Sequence, residues 1–236
     1  MKEKFRILDW DSSFFEFKVG QVDNDQSLTP DFLKHLDNNQ LQLCYYLSNK
    51  KLSKDSLVND YYKIERILTR IPIVKRIGNW TEIHEKITSY RARTPTAELY
   101  DLARLSGSLG RFAQDPNIPE YKYHDLFNNW IENSVKRKIA DEVLVYKEKG
   151  KIIGFVTLKW DGENGYGPLL AVNREFEGKG VAFALMRAIE TKLLENNCKY
   201  FISGTQKDNR KALTIFKRFG FELQSAEYVY HLWRKK

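Results

Sequence analysis

The spacing of hydrophobic and polar positions changes character once along this chain, near Arg91. On the N-terminal side, apolar runs such as QLCYYL (residues 42–47) and YYKIERILTRIPIV (61–74) read as strands separated by short polar turns. Beyond Arg91 the apolar residues first recur every three or four positions, from Glu98 to Leu109 and again from His124 to Lys138. Leu126, Phe127, Trp130, Ile131 and Val135 then share one face, so both segments are predicted to be amphipathic helices. The stretch between them, GSLGRFAQDPNIPEYKY (107–123), holds two glycines and two prolines and predicts a surface loop.

The period then shortens. EVLVYKE (142–148), IIGFVTLKW (152–160) and YGPLLAV (166–172), joined by KGK and DGENG turns, predict an antiparallel meander of three strands. Val181 to Glu195 returns to helical spacing, with Ala182, Leu185, Met186, Ile189 and Leu193 as its buried stripe. CKYFISGT (198–205) reads as a strand, and Asn209 to Phe219 as a shorter helix with Asn209 or Asp208 at its N-cap and Gly220 just past its end. A long last strand, FELQSAEYVYHLW (221–233), closes the pattern. The passage from YGPLLAV through a helix to CKYFISGT needs a crossover, so these two strands are expected to be parallel neighbours in an otherwise antiparallel sheet. The fold class is therefore α/β, with a mixed sheet.

Composition narrows the partners. The 236 residues, 42% of them hydrophobic, suffice for one large or two small cores, and the change of pattern favours two. A formal charge of +8, from 39 Lys and Arg against 31 Asp and Glu, favours anionic ligands. The basic residues are scattered and carry no aromatic-basic signature, which argues against nucleic acid. Cys44 and Cys198 are the only cysteines, which excludes a disulfide framework or a cysteine-based metal site and points to a reducing compartment. No apolar run reaches the roughly 18 residues of a membrane span and MKEKFRILDW lacks the apolar centre of a signal peptide, so a cytoplasmic protein without bound metal is expected.

The stretch NREFEGKGVAFALM (173–186) carries the chemistry. Gly178 and Gly180 immediately precede a helix, where several backbone N–H groups lack intrahelical partners and the peptide dipoles leave partial positive charge. Removing side chains there lets a phosphate approach the main chain, and Arg174 and Lys179 add charge. The spacing matches neither a Walker A loop nor Gly-x-Gly-x-x-Gly; a tight strand-to-helix turn is the plain alternative.

EGKGVA (177–182), placed between an apolar strand and a helix, resembles the Gln/Arg-x-x-Gly-x-Gly/Ala signature of the GNAT superfamily of N-acetyltransferases, with Glu177 in place of the usual Gln or Arg. NRKALTIFKRFGF (209–221) resembles the second half of that pattern: Asn209 and Ala212 match, and Phe216 stands where the family has tyrosine. LDWDSSFFEFKVGQV (8–22), LYDLARLSGSLGRFAQDPNIP (99–119) and LFNNWIENSV (126–135) are similar to the bacterial dTDP-fucosamine acetyltransferases, which acetylate a nucleotide-linked 4-amino sugar. The resemblance implies a GNAT fold in residues 91–236, a smaller cofactor-free α/β domain in residues 1–90, acetyl-CoA as cosubstrate, a nucleotide-linked amino sugar as acceptor and a homodimer.

It also implies residue roles. Leu170, Ala171 and Val172 would lie along the pantetheine, with a main-chain N–H polarising the acetyl carbonyl. Glu177, Gly178, Lys179, Gly180, Val181 and Ala182 would hold the pyrophosphate, with Asn209, Ala212 and Phe216 alongside. Phe216 cannot give the departing thiolate a proton, which leaves water, a hydroxyl from Tyr228 or Tyr230 on the last strand, or lost activity. His124, Asp115 and Glu98 are candidates for the base; each has a plain alternative as a cap, turn former or surface group. Ser108 and Arg111 are candidates for acceptor contact, the guanidinium pairing with a diphosphate. A protein amine, polyamine or antibiotic as acceptor, or a CoA-binding module without turnover, are the other readings.

Overall fold

The computed structural model describes residues 4–53, 57–78 and 82–235, so the first three residues of the opening segment and the final lysine lie outside the described residues. The chain forms two compact units: one from Met1–Ile71, Gln206–Asp208 and Ser225–Lys236, the other from Pro72–Thr205 and Asn209–Gln224. The division differs from the expected break near Arg91 in two respects. It falls at Pro72, and the C-terminal strand returns to the first unit.

In the first unit β1 (Phe5–Ile7), α1 (Asp9–Phe15), β2 (Val19–Val22), α2 (Pro30–Asn38) and β3 (Leu43–Ser48) are followed by residues 62–71 of β4 (Tyr62–Arg76). The strand order is β1-β2-β3-β12-β4, where β12 is the C-terminal Glu227–Arg234. β2 and β3 are parallel with α2 as their crossover; β12 is antiparallel to both β3 and β4. The two helices, of 7 and 9 residues, are too short to show a helical period in the sequence. Thr29 caps α2 by accepting from Phe32 N at 3.3 Å, and Pro30 opens it. The core of the unit gathers Phe5, Val22, Leu33, Leu36, Leu41, Cys44, Tyr46, Tyr62, Ile64, Tyr230 and Leu232.

In the second unit β5 (Ile87–Ser89), α3 (Ala97–Ser106), α4 (Arg111–Gln114), α5 (Glu120–Val135), β6 (Glu142–Glu148), β7 (Lys151–Asp161), β8 (Asn164–Tyr166), β9 (Leu170–Val172), α6 (Val181–Glu195), β10 (Tyr200–Gln206), α7 (Arg210–Arg218) and β11 (Glu222–Leu223) follow in order. The sheet order is β4-β10-β8-β7-β6-β5; β9 is paired with β7 and β11 with β4. The hairpin between β6 and β7 turns on Lys149 and Gly150, both at positive φ (49° and 80°), the conformation a two-residue hairpin favours.

β7 is buried without interruption from Ile152 to Leu158, as expected of a strand covered on both faces. α6 packs on it so closely that a Cβ at Gly154 would lie 3.1 Å from a Val181 methyl. α3 also packs on β7 and on β9. α5 lies against α3, where Gly107 is obligatory: a Cβ there would fall 2.0 Å from the Phe127 ring. Lys75 of β4 reaches Glu190 of α6 at 2.6 Å and sits 4.2 Å from the Phe219 ring centroid, tying α6 to the sheet and to the end of α7.

Three sequence expectations need correction. The loop at 107–123 contains α4, and α5 begins four residues before His124. Pro119, its φ already near −60°, supplies the N-cap of α5. The third meander strand is two pieces, β8 and β9, and the long final strand is also two, β11 and β12.

Candidate active site

The break in the third meander strand creates an opening in the sheet. β8 pairs with the far end of β7 (Trp160 opposite Gly165), whereas β9 pairs with its middle (Phe155 opposite Ala171). Between them lies Pro168, which has no N–H to give a ladder. Thr157, buried at 1% exposure, bridges the gap: its N donates to Leu169 O at 2.9 Å, and its hydroxyl, in place of its carbonyl, accepts from Leu169 N at 3.1 Å. On the far side β10 runs parallel to β8 as far as Ile202 opposite Tyr166, and it does not continue onto β9. The expected parallel pairing of YGPLLAV with CKYFISGT therefore holds at Tyr166, in β8, and not for the β9 residues beyond the break.

The ladder phase fixes which backbone groups border the opening. Thr157 N donates to Leu169 O and Asn173 N to Ile153 O, so in the alternating antiparallel pattern Ala171 also faces β7. Leu170 and Val172 between them turn their N–H and C=O groups outward. Among the described residues their strand neighbour is β7, on the other side. Of the three residues singled out in β9, two present free edge groups and Ala171 is committed to the sheet.

From β9 the chain enters a single 3-10 turn at Arg174–Phe176, capped by the Asn173 side chain accepting from Glu175 N at 2.9 Å. Gly178 and Gly180 follow at φ of +75° and +83°, and a Cβ at either would meet nothing within 4 Å. The space over the turn is open. Gly180 is the N-cap of α6 and has no side chain to cap with; the first helical bond runs from Ala184 N to Gly180 O at 2.9 Å. The N–H groups of Val181, Ala182 and Phe183 therefore precede the helical ladder, at the positive end of a 15-residue helix. Lys179 Nζ lies 4.8 Å from the Phe176 ring centroid, and Arg174 is exposed beside it.

α7 borders the same turn. Asn209 caps it, accepting from Ala212 N at 3.1 Å, and Gly220 ends it at φ +87°, both as expected. Its apolar residues Ala212, Leu213, Ile215 and Phe216 fall on one face, yet none is fully buried. Phe216 meets Phe221 edge-on with centroids 5.2 Å apart. Lys211 reaches back to Glu177, Nζ to Oε2 2.6 Å. Neither Lys211 nor Thr157 stands out in the hydrophobic pattern. A threonine inside the apolar run IIGFVTLKW was the available signal for Thr157; nothing local marks Lys211 as a partner of a residue 34 positions away.

The remaining sequence candidates fall elsewhere. Ser108 donates to Leu105 O at 2.9 Å and finishes α3. Arg111 opens α4 half-buried, its guanidinium carbon 4.6 Å from the Phe112 ring centroid. Asp115, 1% exposed, accepts from Asn117 N at 2.8 Å and from Asn117 Nδ2 at 2.9 Å, an Asx turn that makes it a structural carboxylate. Glu98 sits in the first turn of α3, and its hydrogen bond with Thr96 holds its carboxyl below the usual range. His124 is on the outer side of α5, 3.7 Å from the exposed Glu120. Tyr228 and Tyr230 belong to the first unit, where Tyr228 packs against the core and the Tyr230 hydroxyl, itself in the core, accepts from Leu52 N at 2.8 Å. Tyr230 is thus a core residue by its contacts. No cluster of three or more metal-ligating side chains, and no helix long and apolar enough to cross a membrane, occurs among the described residues. Cys44 and Cys198 are buried and free.

Residues 97–221 match the model of the acetyltransferase (GNAT) family. Over 141 residues the chain is 29% identical to the spore coat polysaccharide biosynthesis protein SpsD of Bacillus subtilis (strain 168), covering 60% of this chain and 48% of that protein. The chain thus spans about half the length of the curated relative it matches. Among solved structures it resembles a GNAT-family protein from Novosphingobium aromaticivorans DSM 12444 (TM-score 0.62, 9% identity, 100% of this chain and 91% of that one). It also resembles a GCN5-related N-acetyltransferase from Sphaerobacter thermophilus (TM-score 0.57, 11% identity, 96% and 75%). The structural likenesses speak for the fold; the family model spans more than half of the 236 residues, and the chain belongs to the GNAT acetyltransferase family.

Proposed function

We propose that the protein transfers an acetyl group from acetyl-CoA, the donor this family uses, to the amine of a nucleotide-linked amino sugar. The observation that carries the reading is two sets of outward main-chain donors, Leu170 and Val172 on β9 and Val181, Ala182 and Phe183 at the start of α6, joined by the turn at 173–180. The residues fit the donor: an unpaired strand edge suits the amides of a pantetheine arm, and a side-chain-free helix start suits a diphosphate. The half-covered apolar face of α7 has room for an apolar contact. Acetyl-CoA, when bound, supplies an activated thioester carbonyl.

What the chain adds is position and polarity. Outward N–H groups on β9 stabilise negative charge that develops on a carbonyl oxygen next to them, without any particular side chain. Phe216 contributes packing and has no proton to give a leaving thiolate. On the acceptor side, α3 packs against β9 and ends just before Ser108 and Arg111. Arg111 is the group there with the fork geometry to hold a sugar-nucleotide diphosphate. The amino-sugar acceptor draws support from the polysaccharide role in the name of the Bacillus relative and from the N-terminal sequence resemblance.

The test is turnover: nucleotide-linked amino sugars offered with acetyl-CoA, release of thiol being measured. Release with such a sugar and none with polyamines or peptide amines supports the proposal. Release with those other amines alone replaces the acceptor, and coenzyme binding without release from any amine makes the protein a binding module.

A further inference from the structure

We infer that Lys211 is a positioning residue for the diphosphate site: it neutralises and holds aside the Glu177 carboxylate so that the turn before α6 can accept an anion. The inference rests on the acetyl-CoA reading above. Glu177 lies one residue before the open Gly178–Lys179–Gly180 turn, and an uncompensated carboxylate there would repel any diphosphate brought to the amides of Val181 and Ala182. Lys211 Nζ stands 2.6 Å from Glu177 Oε2, reaching from the first turn of α7.

The pair is too exposed to be explained as a structural strut. The Lys211 side chain is 82% and the Glu177 side chain 44% accessible, and surface pairs of this kind contribute little to folding. Its consequence is local: with Lys211 engaged, the Glu177 carboxylate no longer opposes the cations beside the turn, Arg174 and Lys179, and Glu175 on the preceding 3-10 turn is the acid left there. The closeness also fixes the direction of the carboxylate, which is drawn towards α7.

The experiment measures CoA affinity by calorimetry for the wild type, Lys211→Gln, Glu177→Gln and the double variant, at low and high salt. KM is measured in parallel for acetyl-CoA and for S-acetylpantetheine, which has no diphosphate. Lys211→Gln is expected to weaken CoA binding roughly two- to sevenfold at low salt, the scale of one unscreened charge within a Debye length of a diphosphate. Adding Glu177→Gln should restore it, salt should shrink the difference, and acetyl-CoA should lose more than S-acetylpantetheine. Unchanged affinity in Lys211→Gln, a double variant as weak as Lys211→Gln, or equal losses for both acetyl donors overturns the inference. A wild-type protein that binds no CoA overturns the functional reading itself, and this inference with it.

Discussion

At residue scale the site depends on what is missing. Gly178 and Gly180 are at positive φ with open space above them, so the backbone conformation favours glycine there and, on the proposed reading, leaves room for a ligand to approach the main chain. Gly180→Ala should therefore cost only about 1–2 kcal/mol of stability, the strain of a left-handed alanine. It should weaken CoA binding about tenfold or more, equivalent to at least ~1.4 kcal/mol, because the new methyl covers the amides. Denaturation and calorimetry on the same variant check both halves. The turn itself was legible in the sequence, as two glycines immediately before an apolar helix, with a tight strand-to-helix turn as the alternative to an anion site. The turn role of Asp115 was legible beside its catalytic alternative, because Asp before Pro is a turn former; the core position of Tyr230 was not, since a core hydroxyl looks, in one dimension, like an available one.

At the scale of elements, the opening between β9 and β10 is made by a break in one strand. Pro168 interrupts the ladder and Thr157 supplies a substitute acceptor, which lets β9 stay on β7 while β8 carries the pairing to β10. Thr157→Val keeps the shape and removes the hydroxyl, leaving Leu169 N buried without its acceptor. A loss of about 1–3 kcal/mol is expected, together with weaker CoA binding, because the edge groups of β9 lose their register. Chemical denaturation beside a CoA titration reads both. Hydrophobic periodicity placed the helices α6 and α7 and the β6–β7 hairpin well because each is long or sharply punctuated. It merged β8 with β9 and β11 with β12 because each break preserves the alternation, although Gly167 and Pro168 within YGPLLAV were the local sign of the first.

At the scale of the molecule the first unit closes on the C-terminal strand, so the division at Pro72 could not be read from the change of pattern near Arg91: β12 comes from the other end of the chain. Both units hold buried acids that resist ionisation. In the first, burial pushes the Cys44 thiol from 9.0 up to about 12 and raises the Tyr62 phenol above its ordinary 10.0; in the second, burial pushes Tyr123 up to about 12. The folded state keeps these protons after the unfolded state has lost them. Their stabilisation is complete below the unfolded values and is lost as pH climbs towards 12. Phenolate absorbance and circular dichroism followed together in alkali should show the last tyrosines ionising as structure is lost. Complete ionisation near 10 with the fold intact would contradict this.

The two sets of outward main-chain donors are most directly tested by amide hydrogen exchange with and without acetyl-CoA. Exchange at Leu170, Val172 and residues 180–183 should slow on binding, while Ala171, already bonded to β7, should change least. A bound complex in which those outward amides exchange as fast as in the free protein would contradict the account.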